Sequence, residues 1–525
     1  MGEGAWQLFF TRRGLPRPGG ADPVLAGVAD LDGWLDREGV REGTPFLIDP
    51  AGCYDVALNG YFLEVLGSVP VHTQRAVAYD LKRFLAFLWE NRGATSWRQA
   101  SPEDRAAFQR WRRVDPGGPR VAAATWDREV ATVNQFYAWA VRTGLVAANP
   151  IVARQARRGR AGVRAVTAEA VTTPAEATHQ GSRRDVAWLP PRVYQRWRDV
   201  GVRGFGTDGL PDPGFRGRYA GRNAAFSDLL IRTGLRLSEA TSLSLFELPS
   251  RVAGVVHART WLPAAIAKGG SARAVYVPDS VLADVWEYVE CERADAVARA
   301  RVRGVYEQIP DPLIVADAAR PVVVIGGRRV GADRLDGSDR RRLLVATSAG
   351  LEPAAVWLTE AGVPSAASGW QQVFKNANRR CVRLGVGVSC HPHMLRHSFA
   401  VITLEQLWRG HLQDLAEMTP TGRATYQMVF GDPLNWVRIR LGHRSVVTTQ
   451  IYLHTLQELE MATRMALVPD GWELPDRPSD DGQGHEDELT RDGVEFDAGE
   501  LDVEEFAADD ELDLDLGDAV VAGWA

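Results

Sequence analysis

A stretch rich in arginine, alanine and glycine most constrains the fold, because it cannot itself contribute to a hydrophobic core. It covers residues 153–185, and its apolar residues are mostly small and follow no period. This composition predicts a solvated basic linker with globular units on either side. A chain of 525 residues is also too long for one ordinary core, and its length suggests about three units. The arginines of the linker are Arg154, Arg157, Arg158, Arg160, Arg164, Arg183 and Arg184.

The segment before the linker predicts a small helical bundle over residues 66–152. Apolar residues recur at helical spacing in two stretches, and the second stretch ends near Gly144. Between them, Ser101 and Asp104 have the spacing of a capping box, with a proline at the first helical position. Residues 1–65 are rich in glycine, proline and aspartate, and we expect them to form an N-terminal arm with a few short elements.

The segment after the linker predicts a second unit, residues 186–468, with helices at both of its ends. Two stretches in its middle, around 255–266 and 272–277, alternate like β-strands. Two further stretches, about 301–350 and 409–433, are interpreted as insertions, the first because it mixes proline, glycine and short apolar runs. The expected fold is therefore mostly α with a small β-sheet, a helical bundle followed by an α+β unit.

The net charge of −6 conceals an asymmetry along the chain. The last segment, 469–525, holds 21 acidic residues against only Arg477 and Arg491, a local charge of −19. The remainder keeps 59 of the 61 basic and 46 of the 67 acidic residues, a charge of +13. A basic body suits a polyanionic partner, since neutralised phosphates release counterions. The acidic tail lacks apolar periodicity and is expected to be disordered.

Several absences bear on location. No apolar run approaches the roughly 20 residues of a membrane-spanning helix, and the N-terminus matches neither a secretory signal nor a myristoylation site. The four cysteines form no CxxC pair. This pattern argues against a zinc knuckle and favours a reducing compartment. We therefore expect a cytoplasmic protein. The cysteines are Cys53, Cys291, Cys381 and Cys390.

Lysine is rare in this chain. Only three of the 61 basic residues are lysines, namely Lys82, Lys268 and Lys375. Where arginine fills almost every site that needs a positive charge, a remaining lysine is a candidate for a task arginine performs poorly, such as giving up a proton. Chance explains any single lysine equally well.

Two segments of the second unit place basic residues beside helix or strand ends. In TGLRLSEA, Gly234 can end one helix, which puts Arg236 at the junction with the next helix and Glu239 one turn further. In AKGGSAR, the glycines allow the tight turn that presents Lys268 between the two β segments.

Two later segments combine histidine, arginine and tyrosine. In HPHMLRHSF, the proline suits a helix start, and i, i+3 spacing puts His393 and Arg396 on one face. In LGHRSVVTTQIYLH, Ser445 or a neighbour can cap a short helix that carries Tyr452 about two turns beyond His443.

Each segment also has an ordinary structural explanation. HxxR is usually surface charge or a capped helix, a single tyrosine is usually part of a core, and KGG is a common hairpin turn. An arginine at a helix start often simply pairs with a nearby glutamate, here Glu239. Only the combination is specific.

Together and in this order, the segments resemble the active site of the tyrosine recombinases, the phage integrase family. The resemblance covers roughly residues 70–468, because the helical bundle also looks like the SAM-like core-binding domain of that family. It implies a catalytic domain over 186–468, in which Glu239 supports Arg236. The catalytic residues that it implies are Arg236, Lys268, His393, Arg396, His443 and Tyr452.

The implied chemistry is consistent with these residue types. Two guanidinium groups, of Arg236 and Arg396, can hold the non-bridging oxygens of a phosphodiester. The Tyr452 hydroxyl can attack phosphorus, with His393 as base, His443 on the phosphate and Lys268 protonating the leaving 5′ oxygen. The phosphotyrosine stores the bond energy, so no ATP is required, and the two guanidinium groups can hold the transition state without a metal. The sequence has neither an acidic two-metal cluster nor a nucleotide-binding P-loop.

The resemblance implies double-stranded DNA with specific sites as the partner, a homotetramer on DNA, and accessory DNA-bending proteins. The stretch from Arg396 to His443 is longer than the family pattern, so loop geometry is not carried over. A type IB topoisomerase and a catalytically idle DNA-binding regulator are the alternatives. The separate helical bundle favours recombination over relaxation, and the complete set of six residues favours an enzyme. Extra length and insertions favour a mobile-element integrase by analogy.

Overall fold

The structure, a computed structural model, describes most of the chain in five ranges. Contacts within the chain separate two compact units, one within residues 1–183 and one that starts at residue 184. The predicted linker, the acidic tail and most of the predicted insertion at 409–433 lie outside the described residues. The described ranges are 4–12, 30–151, 186–417, 433–443 and 449–457.

The N-terminal unit consists of helices and a small antiparallel sheet. Its elements are β1 (Gln7–Phe10), α1 (Leu31–Arg37), β2 (Pro45–Ile48), α2 (Val56–Glu64), α3 (Val71–Asn91), α4 (Pro102–Arg113) and α5 (Ala123–Arg142). Strand β1 pairs with β2, with Phe9 opposite Phe46. The predicted capping box is present, since the Ser101 hydroxyl accepts from the Asp104 N–H at 3.2 Å and the Asp104 carboxylate accepts from the Ser101 N–H at 3.0 Å.

Aromatic side chains fill the core of this unit. Tyr61 of α2 meets Phe136 of α5 edge to face at 5.3 Å between ring centroids, and Phe84 of α3 meets Phe108 of α4 at 5.2 Å. Leu47 of β2 is fully buried in the same core. The described residues before 65, expected as an arm, therefore pack with the helical bundle.

The second unit begins with helices and one hairpin. Its first elements are α6 (Pro191–Trp197) with a π turn (Arg198–Val202), α7 (Ala220–Thr233), α8 (Leu237–Thr241), β3 (His257–Leu262), β4 (Arg273–Pro278), α9 (Asp279–Tyr288) and α10 (Ala294–Val302). Strands β3 and β4 pair antiparallel, as the alternation predicted. Helix α7 crosses the core: Phe226 stacks on Trp370 with 3.6 Å between ring centroids. Burying α7 fixes the position of its C-terminal end, where the TGLR segment begins.

The stretch interpreted as the first insertion has a small core of its own. It contains β5 (Leu313–Val315), β6 (Val322–Ile325), β7 (Arg328–Gly331), α11 (Gly337–Arg341), β8 (Leu343–Thr347) and β9 (Gly350–Pro353). Strand β8 lies between β5, which is parallel to it, and antiparallel β9, while β6 and β7 form a hairpin. A buried ion pair from Arg340 to Glu247, at 2.9 Å, joins this stretch to the rest of the unit.

Helices close the second unit. They are α12 (Ala367–Arg383), α13 (Pro392–Glu417), α14 (Pro433–Leu441) and α15 (449–457). The chain is thus mostly helical with small sheets, a helical bundle followed by an α+β unit, which confirms the predicted fold class. No helix in the described ranges is long and apolar enough to cross a membrane.

Candidate active site

The first candidate arginine lies where two helices meet. Helix α7 ends at Gly234, whose φ of 65° is the left-handed conformation that glycine adopts at little cost. Arg236 then caps the short helix α8. The Glu239 carboxylate accepts from the Arg236 backbone N–H at 3.0 Å and from its guanidinium at 3.0 Å. The i, i+3 spacing in the sequence therefore fixes the Arg236 side chain locally.

Glu239 is fully buried and binds a second arginine that sequence reasoning missed. Arg273 of β4, 4% exposed, pairs with both carboxylate oxygens at 2.5 and 3.1 Å. Burial alone would raise the pKa of Glu239, but Arg273, Arg236 and Arg396 lower it to about 2. Glu239 therefore stays ionised and orders both arginines.

The candidate lysine, Lys268, contacts Glu239 through its main chain. Its backbone N–H donates to the Glu239 carboxylate at 3.4 Å, and its side chain is exposed. Gly269 and Gly270 have φ values of 67° and 71°, so the connection between β3 and β4 turns where the sequence indicated. The turn presents Lys268 to solvent next to the buried carboxylate.

The second candidate arginine is buried on α13. Arg396 is 1% exposed and donates to the Gly234 carbonyl oxygen at 2.5 Å and to the carbonyl oxygen of Leu441, at the end of α14. Burial and the nearby charge of Arg236 lower the pKa of its guanidinium to about 9, which leaves it charged at neutral pH. Arg396 thus ties the TGLR and LGH segments together, although 162 residues separate it from Gly234.

His443 follows the end of α14. Its Nδ1 lies 3.0 Å from the hydroxyl oxygen of Thr449, at the start of α15, and its ring stacks on that of Tyr452 with 6.4 Å between centroids. Burial and the charges of Arg396, Arg236 and Arg273 lower the pKa of His443 to about 3. His443 is therefore neutral in this structure. Ser445, predicted as a possible cap of α15, lies outside the described residues.

The candidate tyrosine is almost completely buried, with 1% of its surface exposed. Burial raises the pKa of Tyr452 to about 12, although Arg396 and Arg236 partly offset that effect. Its hydroxyl oxygen lies 2.9 Å from Nδ1 of His397. The His393 ring in turn meets the His397 ring at 4.4 Å between centroids.

The structure thus brings five of the six sequence-predicted residues into one cluster, with Lys268 adjoining it through the main chain. Sequence reasoning missed Arg273, Thr449 and His397. His397 lies within the HPHMLRHSF segment, but the spacing alone does not show whether His397 or His393 is the partner of Tyr452. Arg273 shares a segment with Lys268, and an arginine in an alternating strand gives no sign that it is buried.

The charges in this cluster are unequal. Three guanidinium groups, of Arg236, Arg273 and Arg396, surround the single carboxylate of Glu239. Excess positive charge in a largely buried site favours an anion. A phosphate group has the charge and the acceptor oxygens for such a site.

Comparison with known proteins points to one family. The phage integrase N-terminal SAM-like domain matches residues 60–144. Tyrosine recombinase XerC of Lactobacillus delbrueckii subsp. bulgaricus is 25% identical over 78% of this chain and 98% of its own. The chain belongs to the tyrosine recombinase family.

A second relative supports the assignment. Tyrosine recombinase XerD of Mycobacterium tuberculosis is 26% identical over 77% of this recombinase and 95% of its own chain. The crystal structure of XerH site-specific recombinase bound to palindromic difH substrate is 14% identical over 78% of this chain and 84% of that one, with a TM-score of 0.42. At that TM-score the structural likeness does not bear on the assignment, which depends on the sequence relatives and the SAM-like domain. The enzyme is thus a site-specific recombinase of the tyrosine type.

Proposed function

We propose that this recombinase cleaves and rejoins double-stranded DNA at specific sites through a 3′-phosphotyrosine at Tyr452, without metal or ATP. The observation that carries the proposal is the position of Arg396. It is bonded to the carbonyl of Gly234, two residues before Arg236, and to that of Leu441, two residues before His443. Both guanidinium groups also act on the pKa of Tyr452. One phosphate between the arginines would lie beside the phenol.

The residues divide the work as follows. Arg236 and Arg396 hold the non-bridging oxygens and stabilise the charge of the pentacoordinate phosphorus. The Tyr452 oxygen attacks phosphorus and forms the covalent intermediate. His443 donates a hydrogen bond to the phosphate. Lys268, on its exposed turn, gives a proton to the departing 5′ oxygen.

A histidine of α13 accepts the phenolic proton, and the sequence favours His393 for this role. Because Tyr452 is 1% exposed, access to its oxygen must open when DNA binds. The same residues act in reverse when a second 5′ hydroxyl attacks the phosphotyrosine. The cycle therefore conserves the bond energy.

The basic body of the chain and its similarity to tyrosine recombinases support DNA as the partner. The charge of +13 outside the acidic tail favours contact with phosphates along the duplex. Four protomers on two recombination sites, with accessory DNA-bending proteins, would complete the reaction. We assign the reaction to the integration or excision of a mobile element, because the chain is longer than the family pattern requires. The proposed location is the cytoplasm.

Trapping the covalent intermediate tests the proposal. The recombinase is incubated with fragmented genomic DNA that carries its own gene, denatured in detergent, and the protein-linked DNA is sequenced. We expect one recurrent sequence for the wild-type chain and no adduct for Tyr452→Phe, which still binds DNA in a mobility-shift assay. An adduct with Tyr452→Phe would mean that another residue is the nucleophile. Relaxation of any supercoiled plasmid without a recurrent site would instead indicate a type IB topoisomerase.

A further inference from the structure

The hydroxyl of the candidate nucleophile contacts a histidine to which the sequence pattern assigned no role. Tyr452 Oη and His397 Nδ1 lie 2.9 Å apart, and their rings lie 5.6 Å apart between centroids. His397 is on α13 and Tyr452 on α15, 55 residues further along. Both belong to the same unit. The contact therefore arises from the packing of two helices, not from local spacing.

The surroundings of His397 keep its ring uncharged. Burial lowers its pKa to about 2, and the neighbouring His393, His391, Arg396 and His443 act in the same direction. A neutral imidazole has one acceptor nitrogen and one donor nitrogen. The tautomer with its ring proton on Nε2 leaves Nδ1 able to accept from the phenol, which is the stronger proton donor of the two groups.

We propose that His397, rather than His393, accepts the phenolic proton of Tyr452, and that the transfer waits for the scissile phosphate to bind. The inference rests on the proposed cleavage reaction. The O–H bond of Tyr452 breaks and its proton passes to Nδ1 of His397, while the phenolic oxygen bonds to phosphorus. The bond from phosphorus to the 5′ oxygen breaks, and that oxygen takes a proton from Lys268. In the reverse step His397 returns its proton to Tyr452.

The charge of the site explains why transfer depends on DNA. Without phosphate, an imidazolium at His397 would form beside Arg396, which immediately precedes it in the chain, and near His443. A bound phosphodiester adds a negative charge at the guanidinium groups and offsets this repulsion. Tyr452 therefore stays protonated until the bond to be cut is in place. His393, packed against His397, would orient its ring.

Substitution of the two histidines, combined with a more acidic phenol at position 452, tests the assignment. The probe is a nicked duplex with the sequence recovered from trapped adducts, and the readout is the rate of covalent adduct formation. We expect His397→Ala to slow the reaction by about 100-fold or more, as loss of a general base does. Fluorotyrosine at position 452 gives up its proton more readily, so it should raise the rate of adduct formation in His397→Ala at least tenfold. Arg236→Ala, the control, should gain nothing from the same replacement.

His397→Asn covers the case in which the alanine variant does not fold. Asparagine can accept a hydrogen bond from the phenol but cannot take up its proton at neutral pH. We expect it to fold, react slowly and respond to fluorotyrosine. A rate near that of the wild type in His397→Asn would overturn the assignment. So would a result in which fluorotyrosine rescues His393→Ala but not His397→Ala. If the wild-type chain forms no adduct, the proposed function fails before either histidine is compared.

Discussion

The two units bury carboxylates in opposite electrostatic settings. In the N-terminal unit, Asp80 lies close to a second buried carboxylate, Glu129, and its partner Arg128 is 36% exposed at the side chain. Burial and the charge of Glu129 raise the pKa of Asp80 to about 6, although Arg128 and Arg83 oppose this effect.

In the second unit, one buried carboxylate faces several cations. Glu239 has Arg273, Arg236 and Arg396 around it, and its pKa falls to about 2. The comparison teaches that burial alone does not set the charge of a carboxylate. The ratio of carboxylates to buried guanidinium groups does, and the single carboxylate of Glu239 faces three guanidinium groups.

The largest expected difference comes from removing one buried carboxylate in each unit. Glu239→Gln leaves Arg273 buried without its carboxylate, and Glu129→Gln does the same to Arg112, which is 6% exposed and bonded to Glu129 at 2.8 Å. We expect each to lower the free energy of unfolding by about 3 kcal/mol, measured by denaturant titration.

Only the first substitution should affect the chemistry. Because Glu239 also holds Arg236, Glu239→Gln should slow adduct formation in the folded, DNA-bound protein by about 100-fold. Glu129→Gln is the matched control and should leave that rate within a few-fold of wild type. Equal rates in both variants would remove the distinction between the two buried networks.

The second difference is the response to pH. The folded-state pKa of Asp80 is raised, so the stability it contributes is present below about pH 4 and is lost as pH rises through 6, a change of about 3 kcal/mol. The pKa of Glu239 is lowered, so its contribution is present above about pH 4.5 and is lost as pH falls towards 2, again by about 3 kcal/mol.

Amide hydrogen exchange, corrected for intrinsic rates, reports the two units separately. Protection in α3 and α5 should fall between pH 4 and 6, whereas protection in α8 and β4 should fall between pH 4.5 and 2. Asp80→Asn should remove the first trend and leave the second. Parallel trends in both regions would contradict the opposite pKa shifts.

A third, smaller difference concerns two glycines with left-handed backbone. Gly442 has φ of 66°, and an added Cβ would lie 3.1 Å from Nη1 of Arg273; Gly144 has φ of 72° and open space around it. Alanine at either position should cost about 1 kcal/mol for the backbone conformation. Only Gly442→Ala should also slow adduct formation, by about tenfold, because it displaces Arg273. Loss of activity in Gly144→Ala would show that global stability, rather than Arg273, limits the reaction.

The smallest effect is expected at the helix caps. Ser101 and Arg236 each begin a helix with a carboxylate three residues on. Ser101→Ala should lower the free energy of unfolding by about 1 kcal/mol and leave adduct formation unchanged. A fall in the rate with Ser101→Ala would mean that cap strength in the N-terminal unit limits cleavage.

Spacing along the sequence determined the local parts of this recombinase. The capping box at Ser101, the helix end at Gly234, the junction at Arg236 with Glu239 and the turn at Lys268 each depend on residues within a few positions of one another. Backbone dihedral preferences and i, i+3 contacts govern such features, and both can be seen in the sequence. The mostly helical fold follows from the same local patterns.

Only tertiary structure decided which distant groups meet. Arg273 binds Glu239, 34 residues earlier, and its Nε donates to the carbonyl oxygen of Arg440, 167 residues later. The contact of Tyr452 with His397, although the pattern favoured His393, depends on how α15 lies against α13. Helical spacing fixes the face on which a side chain lies, whereas the packing of buried surfaces fixes what that face touches.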